Sequence, residues 1–192
     1  GLGLLIFFYV PLLLTELTGV TSGLMFNLID GLVRLIFFMG YLLIISRWKE
    51  IHRVFEYHGA EHKSIFLFES GDDLTVANAA KYTTYHPRCG TSFLVVVLLV
   101  SVIVFIFLGK PHSIGTRLLR LAFVPVIGGI SYELIRLSGK IQNSRWIKPF
   151  IAPGLWTQRI TTQEPDDSQL EVALVALKGA LSKPLPDNVD LV

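Results

Sequence analysis

Cysteine is almost missing from the 192-residue chain: Cys89 stands alone, so no disulfide can form within it. Charge is also scarce, with Asp, Glu, Lys and Arg making up 17% of residues. The formal net charge of +2 is too small to point to nucleic acid as a partner. No internal repeat and no low-complexity tract is present, which excludes a solenoid and a linker-like chain. The first apolar run, Leu2-Gly3-Leu4-Leu5-Ile6-Phe7-Phe8, has neither a basic segment before it nor a small-residue cleavage site. It is therefore not a signal peptide. Its opening at Gly1, inside the run and without a methionine, leads us to expect a fragment or a processed chain.

What the chain does have is apolar sequence in long blocks. Hydrophobic residues make up 52% of it and mean hydropathy is +0.56, well above a soluble domain. Four blocks stand out: Gly1 to about Leu14 with Pro11 inside it, Leu24 to Ser46, Phe93 to Leu108, and Leu118 to Leu134. The third is rich in Val, Ile and Phe, but a lone strand cannot cross lipid, so all four are expected to be helices. Asp30 and Arg34 lie four apart in the second block and are expected to form a structural ion pair near the outer interface. Pro125 and Gly128-Gly129 in the fourth predict a kink or close helix packing.

Basic residues set the orientation. The link between the second and third blocks holds Arg47, Lys49, Arg53, Lys63, Lys81 and Arg88, and the tail after the fourth holds seven more. The link between the third and fourth has only Lys110, Arg117 and Arg120. The two rich stretches fall on one side, which is then cytoplasmic. The expected architecture is an all-α, polytopic integral membrane protein with about four transmembrane helices, in a bacterial cytoplasmic membrane. Residues 1–46 supply two membrane helices, 47–91 a cytoplasmic helix and loop, 92–135 two further membrane helices, and 136–192 an interfacial tail. The helix after Arg47 is expected to continue into the cytosol and break at Ser70-Gly71-Asp72-Asp73. Around 149–156, with Trp146 and Trp156 nearby, the pattern predicts irregular interfacial chain. Glu164-Pro165 predicts a helix start. Leu170, Leu174, Leu177 and Leu181 then form the apolar face of a last helix, docked on the cytoplasmic region, before a loose Pro-Leu-Pro-Asp end.

Chemistry-bearing residues gather on the expected cytoplasmic side. In His58-Gly59-Ala60-Glu61-His62 the histidines are four apart, so on a helix both imidazoles reach one metal ion. Glu61 could then serve as a general base, in the H-x-x-E-H order of inverse zinc peptidases. His86-Pro87-Arg88-Cys89 offers an imidazole and a thiolate at a turn. Glu133, far along the chain, is a candidate third ligand, or else an ion-pair partner of Arg136. With His52, four of five histidines share this stretch with the only cysteine. His58, His62, His86 and Cys89 would make a closed structural site, whereas His58, His62 and Glu133 would leave a position open for water.

The strings YHGAEHKSI, HPRCGTSF, GISYELIR and TTQEPDD, in this order, resemble the YqhQ-like family of bacterial membrane proteins. That family carries a domain of unknown function labelled a predicted metal-dependent enzyme. The resemblance extends from Tyr57 to Asp167 and implies a four-helix membrane region with cytoplasmic polar loops. It implies importance for His58, Glu61, His62, His86, Arg88, Cys89, Glu133, Glu164 and Asp166. Family members usually begin with a glycine-rich cytoplasmic segment, and no such segment precedes the first block here.

The expected function is a metal-dependent hydrolase at the cytoplasmic membrane surface. Its cofactor is a divalent metal, zinc by its ligands; its partners are the lipid bilayer and a lipid-linked or membrane-peptide substrate. The rivals are a non-enzymatic scaffold or transporter with a structural His/Cys metal site, and a site that binds an anionic headgroup.

Overall fold

The computed structural model describes residues 1–140 and 148–182. The expectations for Trp146 and for the Pro184–Asp187 end lie outside these residues. Among the described residues the only regular structure is helical. The elements are α1 (Leu2–Leu4), a π-helical stretch (Leu5–Tyr9), α2 (Val10–Leu17), α3 (Gly23–Ile45), α4 (Lys49–Ser70), α5 (Val76–Ala79), α6 (Gly90–Leu108), α7 (Ile114–Ala122), α8 (Val124–Lys140), α9 (Lys148–Thr161) and α10 (Asp167–Leu181).

Three helical stretches are long and apolar enough to cross a membrane: Gly23–Ile45, Gly90–Leu108 and Ile114–Leu137. The first apolar block forms a shorter helix, Leu5–Leu17, so the four expected blocks become three spans and one short apolar helix. This is the build of a polytopic membrane protein. Much of the surface of the long helices is apolar and unburied, as at Phe107, 85% exposed, which suits lipid and not water. α6 is central and packs against α3, α8 and α9. Val100, Phe105 and Ile127 form the membrane-side core.

Local chemistry explains the ends. Ser22 caps α3 by accepting from Met25 N, and Ser113 and Thr116 form a capping box at α7. α4 ends at Gly71, whose φ of 77° is the left-handed conformation a C-terminal cap needs. Contrary to the expected continuous helix, the chain breaks at Ser46–Trp48 between α3 and α4. The fourth block is interrupted for one residue at Phe123, two residues before Pro125, and helical bonds from Phe123 N to Leu119 O and from Ile127 N to Phe123 O continue across it. Gly128 and Gly129 are not close-packing points, since a Cβ at either would meet nothing within 4 Å.

The Asp30–Arg34 pair forms, at 2.9 Å, and is buried. It belongs to a larger polar network. Arg120 Nη1 lies 3.8 Å from the same Asp30 oxygen, and Arg120 Nη2 donates to Asn27 Oδ1 and Gly109 O, both at 2.6 Å.

On the other end of α6, α4 and α10 pack together. Ala60, Leu67, Ala79, Leu170 and Leu174 make a second core. Each buried leucine there contributes about 1.5–3 kcal/mol, which explains why the final apolar face docks as expected. Its start is shifted: Asp166, not Glu164, caps the helix, by a reciprocal bond with Gln169. The stretch expected to be irregular around 149–156 is helical as α9. Tertiary packing overrides the proline signal, because Gly154 lets α9 press on α6 so closely that a Cβ would lie 2.7 Å from Ser92.

Candidate metal centre

The spacing of His58 and His62 puts both rings on one face of α4, with centroids 4.4 Å apart. Cys89 reaches them from the N-cap of α6. Ligand atoms of His58, His62 and Cys89 all lie within 4.8 Å of one another. Cys89 Sγ is 3.3 Å from His58 Nε2.

The imidazoles are oriented from behind. His58 Nδ1 lies 2.8 Å from Thr161 O, and His62 Nδ1 lies 2.5 Å from Thr84 O. A carbonyl only accepts, so each Nδ1 carries the hydrogen and each neutral ring keeps its Nε2 lone pair for the shared space. Metal-binding histidines are oriented in this way. Gly59 makes the first of these bonds reachable. A Cβ there would sit 2.1 Å from Gln163 O, so only glycine lets the 161–163 segment come so near α4.

Charge in the group is uneven. Burial pushes the Cys89 thiol up, but bonds with His58, His62 and Thr91 outweigh it and bring it from 9.0 down to about 5. Its place at the positive end of α6 favours the thiolate further. His58 is pushed above its ordinary value, chiefly by the bond to Cys89, against its burial. Both shifts favour an imidazolium beside a thiolate, and an ion bound through Nε2 of His58 would have to displace any proton there.

The group faces a cleft of about 360 Å³ whose rim carries Glu61, Glu69 and Arg88. Glu61 is exposed to solvent, lines the cleft, and its charge adds slightly to the raised pKa of His58. Arg88 Nη2 donates to Glu69 Oε1.

His86 lines the cleft but does not join the three ligands. Its Nδ1 accepts from Arg88 N at 3.2 Å, which puts its hydrogen on Nε2, 3.6 Å from Glu69 Oε2. Burial lowers its pKa. Glu133 is not brought here either. It lies on α8, 65% exposed, paired with Arg136 at 3.7 Å, because α8 packs on α6 and α7 rather than on α4. Glu164 holds the buried Lys63 at 2.5 Å, and Asp166 is the α10 cap, so both fasten the scaffold rather than face the cleft. His52 stays apart with Glu56.

Two residues escaped the sequence reading. Gln158 is fully buried, accepts from His86 N and donates to His86 O and Ser92 Oγ, each at 2.7 Å, and so fixes the turn that carries Cys89. Nothing in the sequence around it marks that role. Glu69 could have been found, since it lies seven residues after His62 on the same helical face.

A curated relative, "Uncharacterized protein YqhQ" of Bacillus subtilis (strain 168), is 38% identical over 179 residues. The match covers 92% of this chain and 56% of that protein, so the chain spans little more than half the relative's length. No solved structure matches. Residues 1–183 match the family described as "Protein of unknown function (DUF1385)", and the chain belongs to that family.

Proposed function

We propose that the chain forms the site-bearing part of a metal-dependent hydrolase, with a zinc-type divalent ion held by His58, His62 and Cys89. The observation that carries this reading is the pair of backbone carbonyls on the two Nδ1 atoms, which leaves two Nε2 atoms and one thiolate converging within 4.8 Å. Two imidazoles and a thiolate suit zinc. Three protein ligands beside a cleft are the pattern of a catalytic rather than a closed structural site. The bonds that His86 makes elsewhere support the same conclusion.

An ion bound there supplies a Lewis acid and brings the pKa of a water near neutrality. The chain supplies the rest. Glu61, at the rim, accepts a proton from a water in the cleft at its carboxylate. Arg88, held by Glu69, presents its guanidinium to an oxygen of the substrate. Cys89 caps a membrane span, so the cleft lies where that span ends, and the substrate is a lipid-linked molecule or a membrane peptide. On the Lys/Arg distribution this end is cytoplasmic and the chain crosses a bacterial cytoplasmic membrane several times.

The test is metal analysis of untagged protein with a complementation assay in cells. Glu61→Gln should keep the metal and lose function, while His62→Ala and Cys89→Ser should lose the metal. A metal-replete, fully functional Glu61→Gln protein would leave a structural site in a scaffold or transporter instead. Metal-free wild type, with chelator-treated protein as control, would remove the ion altogether.

A further inference from the structure

α6 is 19 residues long, so its two ends are about 28 Å apart. A second polar site lies at the end away from Cys89. There a cleft of about 310 Å³ opens between the first apolar helix and α7. Its walls are apolar, with Leu5, Leu12 and Leu121 among them, its charged side chains are Arg34, Arg117 and Arg120, and Gly1 also lines it.

The charges do not balance. Arg34 has Asp30 at 2.9 Å, and Arg117 has Glu16 at 2.6 Å. Arg120 has no carboxylate of its own. It shares the Asp30 oxygen at 3.8 Å and otherwise donates to neutral acceptors, Asn27 and Gly109. Three guanidiniums against two carboxylates leave one positive charge. Arg120 is 5% exposed, and its Nη1 has no hydrogen-bond partner. An unmatched cation in apolar surroundings is costly, and an anion would relieve it. Arg117 and Arg120 are three apart, so both side chains serve one face of α7, with Arg120 in its last turn.

We propose that this cleft holds an anionic phospholipid, with its phosphate on Arg120 and Arg117 and its acyl chains against Leu5, Leu12 and Leu121. A guanidinium floor under apolar walls matches an anion joined to hydrocarbon. A free anion would leave those walls facing water. This site is independent of the metal reading, because it uses none of the residues around Cys89.

Purified full-length protein, delipidated in neutral detergent, should be given phosphatidylglycerol, phosphatidylcholine or soluble glycerol phosphate, and binding read by native mass spectrometry and thermal melting. Phosphatidylglycerol should bind and raise the melting temperature, and the other two should not. Arg120→Gln should weaken that binding by roughly tenfold or more, as loss of a charge-assisted hydrogen bond does. Because Arg120 also braces the network, Leu121→Glu is the second variant. It supplies a carboxylate within the cleft, leaves the braces intact, and should abolish the preference while the protein stays folded. Equal binding of the two lipids, equal binding of glycerol phosphate, or a preference that survives Leu121→Glu would each overturn the proposal.

Discussion

Gln158 is the most informative residue to change, because it lies outside both the cleft and the His58–His62–Cys89 group, yet fixes the turn before Cys89. Its amide makes three hydrogen bonds of 2.7 Å, two to the backbone of His86 and one to Ser92. Gln158→Leu keeps the bulk and removes all three. Ser92 sits in the first turn of α6 and can turn its hydroxyl to a carbonyl of the preceding turn, so its loss is small. The His86 N–H is left buried without a partner, at about 1–3 kcal/mol, while His86 O keeps the bond from Cys89 N at 3.3 Å. The unfolding free energy in mixed micelles measures this directly. Zinc affinity of the same variant, measured with a competing chromophoric chelator, should fall by at least about tenfold as Cys89 loses its fixed position. A variant within about 0.5 kcal/mol of wild type, with unchanged zinc affinity, would refute the role of Gln158 in holding this turn.

Four further outcomes are expected. In metal-free protein, the thiolate absorbance of Cys89, taken against Cys89→Ser, should persist as pH falls from 9.0 and disappear only around 5. A depressed thiol stabilises the fold most above its unfolded pKa and loses that contribution as pH falls through its folded value, so stability should decline over the same window; a midpoint near 9.0 would show that the His58 contact is absent. Gly59→Ala should drive the 161–163 segment from α4 and release metal while circular dichroism shows helix content retained; unchanged metal content would contradict the tight approach. Asp166→Ala should lower the melting temperature as a lost helix cap and leave metal content untouched, whereas metal loss would make Asp166 part of the site. In a background lacking Cys89, a cysteine at Asp72 should be labelled only from the cytoplasm and one at His112 only from outside, and the reverse pattern would invert the topology.

Periodicity made much of this fold readable. The membrane helices are apolar along their whole length, and the spacing of His58 and His62 dictates a shared face whatever surrounds it. The leucines of α10 likewise announce a buried stripe. What the chain does not announce is which helix lies against which. Glu133 looks as suitable a ligand as Cys89 until α8 is seen to pack away from α4. Asp166 looks like a site residue because a carboxylate before an apolar run serves equally as a cap, and here it caps. The role of Gln158 exists only because α9 crosses α6 at Gly154, a contact between positions 66 residues apart for the bond to Ser92.

The bond from His58 to Thr161 spans 103 residues. A ribosome making this chain releases the histidines and the cysteine long before the carbonyl that orients His58. Until α9 has been synthesised and has settled beside α6, that ring is free to rotate and to present either nitrogen. Order of synthesis thus delays the competent form of the site to a late stage of membrane insertion. A nascent or truncated chain would carry these residues in sequence but not the geometry that brings His58, His62 and Cys89 together.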